Sequence, residues 1–144
     1  MTRTMKRGFT LVEILIVVII LGILAAIVIP QFTNASEDAR KSNMKSQLQT
    51  LRSQVELYKL QHRDTAPTLA GFWTALTTKT DDTGAASAAA DAFGPYMQDV
   101  ATNPLTGSST VAAAAGTTVG WVYTAATGKV NGVNKLGVLS DDGE

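Results

Sequence analysis

Hydrophobic and polar positions along the chain fall into three regimes. From Phe9 to Ile29 the only polar side chains are Thr10 and Glu13, and no charge occurs between Ile14 and Ser36. About 21 helical residues at about 1.5 Å each span about 31 Å, close to the hydrocarbon thickness of a bilayer, so this run predicts a membrane-spanning helix over 9–30. Beyond Pro30 the helix is expected to continue amphipathically to about residue 63. Met44, Leu48, Leu51, Val55 and Tyr58 recur at spacings of 4, 3, 4 and 3, with Lys41 before them and Gln47, Gln49, Arg52 and Gln54 between them. That is one apolar stripe, too short for a coiled coil and suited to packing within a domain. Pro67 disfavours helical geometry at Ala66, so the helix should stop near Gln61 to Arg63.

The third regime is short-range. Leu69, Phe72, Trp73 and Leu76 suit a short helix or turn with one buried face, and Asp81 to Ala90 reads as a loop or weak helix. Phe93-Gly94-Pro95-Tyr96 and Asn103-Pro104-Leu105-Thr106-Gly107 are turn sequences. From Val119 the period becomes two: Val119, Trp121 and Tyr123 alternate with Gly120, Val122 and Thr124, a half-buried strand. Ala126-Thr127-Gly128 turns into a partner strand at Lys129, Ser109 to Ala112 offers a strand before it, and Leu136 to Leu139 a short one after it. The expected class is α+β, a long N-terminal helix against a small antiparallel sheet.

Charge alters this picture at one end. Formal net charge is zero, yet Arg3, Lys6 and Arg7 all precede the apolar run; without residues 1–8, nine basic residues face twelve acidic ones. Basic residues before the span and none directly after it place the N-terminus in the cytoplasm and the C-terminal bulk across the membrane. No clustered basic face suggests nucleic acid. One histidine and no cysteine leave little material for a catalytic triad or a metal hydrolase, and no glycine-rich phosphate loop follows a strand. His62 reads as a helix-end residue rather than a ligand.

Glu13 is the anomaly. A charge in hydrocarbon costs roughly 2.5–3.5 kcal/mol on insertion scales, so it needs a partner or a role. A cleaved secretory signal, with Thr33-Asn34-Ala35 as a cut site, would have a shorter apolar core and no such glutamate. A plain anchor explains the length but neither Gly8 nor Glu13.

Gly8-Phe9-Thr10-Leu11-Val12-Glu13, followed by an apolar helix with Pro30 near its end, resembles the class III signal of type IV pilins and pseudopilins. The resemblance covers about the first 32 residues and implies a pilin-like fold. It also implies that a prepilin peptidase removes the leader 1–8 between Gly8 and Phe9 and methylates the new amine of Phe9. Glycine leaves the scissile backbone open to close approach. Glu13 would pair with the N-terminal amine of a neighbouring subunit, neutralising two costly charges as a subunit leaves the lipid. The alternative is that it folds back to its own amine, since i and i+4 share a helix face. Gly22 and Pro30 both weaken the helix, and the segment between them is expected to kink or melt on leaving the bilayer.

Asn103-Pro104-Leu105-Thr106-Gly107 with Gly120-Trp121-Val122-Tyr123 is similar to the globular domains of type II secretion pseudopilins, which would make 31–144 a periplasmic domain. On that resemblance the partners are copies of the same chain, minor pseudopilins, an inner-membrane platform protein and an assembly ATPase. Many relatives of that kind hold calcium in a C-terminal loop. Here Asp141 and Asp142 are the candidate ligands, but the tail is short and reads better as a solvated terminus, so no cofactor is expected. A type IV pilin for adhesion, twitching or DNA uptake is the alternative. A membrane-anchored enzyme or sugar-binding module stands third, and would show a polar, aromatic-lined cleft.

Overall fold

The computed structural model describes residues 8–140, which fall into two compact units divided between Asp38 and Ala39. The first helix, α1, is Leu11–Gln61 and contributes to both. In the first unit every described side chain from residue 8 to 38 is exposed. The helical assignment continues through Gly22 and Pro30, although an interior proline has no N–H to donate. Thr33 Oγ1 donates to the Ile29 carbonyl at 3.0 Å, adding a side-chain bond to the turn that follows the proline.

In the second unit the apolar stripe of α1 is the floor of the core. Met44, Leu48, Leu51, Val55 and Tyr58 are all at most 4 % exposed. The helix stops at Gln61 because Arg63 and Asp64 take left-handed φ values of 56° and 61°. The Asp64 N–H then bonds the Lys59 carbonyl at 2.9 Å, closing the last turn. His62, in this turn, is buried and fully bonded, with Nδ1 2.7 Å from the Tyr58 carbonyl and Nε2 2.9 Å from Thr80 Oγ1. Its ring stacks on that of Tyr58 at 3.7 Å.

The short helix α2, Phe72–Thr77, buries Phe72, Ala75 and Leu76, while Trp73 stays half-exposed and donates its Nε1 hydrogen to the Ser109 carbonyl. Residues 81–92 form turns, pinned where Thr80 exchanges both backbone bonds with Phe93.

Four strands follow: β1, Val111–Ala112; β2, Trp121–Thr124; β3, Lys129–Val133; and β4, Leu139–Ser140. They lie in that order; β2, β3 and β4 are antiparallel as expected, whereas β1 runs parallel to β2 and makes the sheet mixed. The cause lies in residues 113–120, which carry the chain back to the start of β1 instead of turning it as a hairpin. Ser108 Oγ donates to the Thr118 carbonyl at 2.7 Å, and the N–H groups of Gly120 and Trp121 both reach the Thr110 carbonyl. Gly120 is required there, since a side-chain carbon would collide with the Ser108 carbonyl.

Strand β2 is also more buried than strict alternation predicts. Trp121, Val122 and Tyr123 are all buried, because β2 is an inner strand and Ala112 and Asn131 flank Val122 in the ladder. Contacts fix the direction of β3 against α1: Gly128 lies by Val55 and Lys59, Arg52 Nε donates to the Val130 carbonyl at 2.9 Å, and Gly132 lies by Met44. The strand therefore runs antiparallel to the helix, and Trp121, Tyr123 and Val130 meet its stripe together with Phe72 and Leu76.

Candidate functional site

The site singled out by the sequence lies at the start of α1. Gly8, Phe9 and Thr10 precede the helix, and Leu11 is its first residue. A side-chain carbon on Gly8 would meet nothing within 4 Å, and Phe9 is 80 % exposed, so the Gly8–Phe9 bond is sterically open among the described residues.

Glu13 makes contacts that the sequence reading missed. The Thr10 N–H and the Thr10 hydroxyl both donate to Glu13 Oε2 at 3.3 Å, and the Glu13 N–H donates back to Thr10 Oγ1 at 3.2 Å. This is a capping box, with Thr10 as N-cap and Glu13 three residues on. The signal was the T-x-x-E pattern at residues 10–13, immediately before an apolar run. The carboxylate is thus held over the first turn, where the helix dipole favours negative charge. Neither reading of Glu13 anticipated this: its partner here is Thr10, through both the backbone N–H and the hydroxyl.

Behind the cap, the large apolar residues from Leu11 to Phe32 are all 48–82 % exposed. The segment is long and apolar enough to cross a bilayer. Burying such a side chain contributes about 1.5–3 kcal/mol, so a lipid or protein environment for this unit is strongly favoured over water. Gly22 and Pro30 both lie within it.

In the second unit, Asp81 Oδ1 accepts from the Thr83 N–H, the Thr83 hydroxyl and the Ala85 N–H, at 2.9, 2.7 and 3.0 Å. Those bonds, the Thr83 hydroxyl first, hold its carboxyl below the usual range. Burial, and then the Asp81 charge, push the Tyr58 hydroxyl up. Among the described residues no group of three or more His, Cys, Asp or Glu could hold a metal ion. Asp141 and Asp142 lie outside the described residues.

The motif at the start of α1 and the long helix packed on a small mixed sheet are pilin-like. The sequence model described as "Prokaryotic N-terminal methylation motif" matches residues 3–29. Among curated relatives, the chain is similar to "Type II secretion system core protein G" of Pseudomonas aeruginosa, 40 % identical over 62 residues, 43 % of this chain and 44 % of that protein. The protein of the same name from Dickeya chrysanthemi is 44 % identical over 57 residues, 40 % of this chain and 37 % of that one. "Type IV major pilin protein PilE1" of Neisseria gonorrhoeae is 34 % identical over 98 residues, 68 % of this chain and 40 % of that protein. The chain spans less than half the length of each of these relatives. No solved structure matches it.

Proposed function

We propose that this chain is a structural subunit of a type IV filament-like assembly, most similar to a type II secretion pseudopilin that polymerises into a periplasmic pseudopilus. The observation that carries the reading is the methylation motif over residues 3–29, joined to a bilayer-length exposed helix with one carboxylate near its start. The higher identity to the secretion proteins, against the pilin's 34 %, favours secretion over adhesion or motility.

In this reading residues 1–8 stay in the cytoplasm until a prepilin peptidase cuts after Gly8 and methylates the Phe9 amine. The helix 9–30 waits in the inner membrane with the globular unit in the periplasm. Cleavage turns Phe9 into a cationic terminus beside the Thr10–Glu13 cap. Glu13 then exchanges its bonds to Thr10, both 3.3 Å and therefore weak, for the amine of a neighbouring subunit. A charge-assisted bond is roughly twice as strong as a neutral one, so the exchange is favourable once water is excluded. An assembly ATPase, a platform protein and minor pseudopilins complete the machine.

Glu13→Gln tests the role of the charge. The amide still accepts from Thr10 but cannot neutralise a cationic amine, so leader cleavage should proceed while filaments fail to form. Wild-type filament yield from the variant, by shearing and immunoblot, would refute the role.

A further inference from the structure

Strand β4 is two residues long and pairs with Gly132 and Val133 of β3. Before Gly132, β3 is met by Arg52 of α1, whose Nε donates to the Val130 carbonyl at 2.9 Å and whose Nη2 donates to Asn131 Oδ1 at 3.1 Å. A groove of about 490 Å³ opens there between α1 and the start of β3, lined by Arg52, Glu56, Thr127, Gly128 and Lys129. Its charge is that of a cationic site. The Glu56 carboxylate is paired with Lys59 Nζ at 3.3 Å, whereas the exposed Lys129 pairs with no acidic side chain among the described residues. A sheet edge left open invites pairing with another chain, and native proteins cover such edges.

The chain continues past Ser140 as Asp141-Asp142-Gly143-Glu144, three carboxylates in four residues, which lie outside the described residues. Register says where they lead. Ser140 stands opposite Gly132 in an antiparallel pair, so each further residue moves one step back along β3: 141 falls at Asn131, 142 at Val130 and 143 at Lys129. Those three steps cover about 10 Å at about 3.4 Å each, within the reach of this segment. Residues directly opposed share a face with Cβ atoms about 4.5–5.5 Å apart, and diagonal neighbours are within reach of long side chains. A carboxylate at 141 therefore meets the guanidinium already bonded to Asn131, and lies diagonal to Lys129 on the same face. We propose that residues 141–144 occupy this groove as an acidic latch, with the Asp141 carboxylate held between Arg52 and Lys129. The latch covers the part of β3 that β4 leaves unpaired. It holds whether or not the chain forms a filament.

The chain has no cysteine, so Gly143→Cys gives a single attachment point for a nitroxide in the full chain in detergent micelles. The amide signals of Thr127, Gly128 and Lys129 should be strongly broadened, and should recover when the nitroxide is reduced. Asp141→Asn removes both ion pairs. At exposed sites the two are together worth about a two- to thirtyfold change in the ratio of docked to free tail, so the broadening should fall. Lys129→Gln, on an exposed residue, removes one pair and should reduce it by a smaller factor without touching the core. Signals at 127–129 that the label leaves sharp would overturn the latch, as would broadening that neither substitution reduces. Mixing the labelled chain with an isotope-labelled chain that lacks the nitroxide finds the remaining occupant: broadening at 127–129 of the second chain would assign the groove to the tail of another copy and overturn the intrachain placement.

Discussion

Asn103 is wholly buried, and its side chain joins three segments. Its Nδ2 donates to the Gly120 carbonyl at 2.7 Å and to the Val133 carbonyl at 2.8 Å, while Oδ1 accepts from the Leu105 N–H at 2.8 Å. Asn103→Ala removes all three bonds but leaves the backbone bonds of the 103–108 turn in place. At about 1–1.5 kcal/mol for each bond, the loss is about 3–4.5 kcal/mol. For a domain of about 100 residues that lowers Tm by about 12–18 °C, at about 4 °C per kcal/mol. Asn103→Asp is the sharper variant. It retains the acceptor for Leu105 but turns a second oxygen toward two carbonyls, so an ionised carboxylate there is destabilising. The introduced carboxyl should titrate above its unfolded value near 3.9. Its protonated form is favoured by folding, so relative stability should be greatest below that pH and fall as pH rises. Thermal unfolding of the full chain in micelles, followed by near-ultraviolet dichroism, measures both. A loss below about 1 kcal/mol for Asn103→Ala, or a flat pH response for Asn103→Asp, would refute the reasoning.

Two further predictions concern the same unit. Tyr123 donates its hydroxyl to the Pro67 carbonyl at 2.8 Å, and burial, with a smaller contribution from Tyr58, pushes it up to about 12. Its unfolded value is near 10, so the native state holds the proton longer; stability should be full below about pH 10 and fall between about 10 and 12. Tyr123→Phe should reduce that alkaline slope in parallel titrations, and an unchanged slope would contradict the assignment. Gly132→Ala places a carbon 2.5 Å from Met44 Sδ and 3.2 Å from the Ser140 carbonyl, overpacking that should cost about 1–3 kcal/mol. Combining it with Met44→Ala should give less than the sum of the two losses; strict additivity in denaturant titrations would show that the two residues do not meet.

The helical parts of the fold were legible because their signal is periodic and local. The five stripe residues of α1 are the same five that the helix buries, and α2 sits within the segment read as a short helix. The parallel pairing of β1 was not legible. It depends on how residues 113–120 return, and a two-residue strand has no period to read. Asn103 read only as turn punctuation, since nothing in the sequence places the Gly120 and Val133 carbonyls around it. Arg63 and Asp64 end α1 by adopting left-handed backbone without a glycine to announce it. At the candidate site, Gly8, Phe9 and Glu13 stand out in the sequence by their chemistry in an apolar context. The capping pattern of Thr10 is equally present in the T-x-x-E of residues 10–13, but the charge of Glu13 points first to an N-terminal amine, of a neighbouring subunit or its own.

In the proposed function residues 1–8 are a leader removed by a prepilin peptidase, and the apolar helix is retained. Intact-mass and peptide mass spectrometry of the protein purified from membranes of a cell expressing that peptidase measures this directly. The expected product is a mature chain that begins at Phe9 and carries one added methyl group on its amine. A chain that still begins at Met1, or one cut beyond the apolar segment near Ala35, would contradict it.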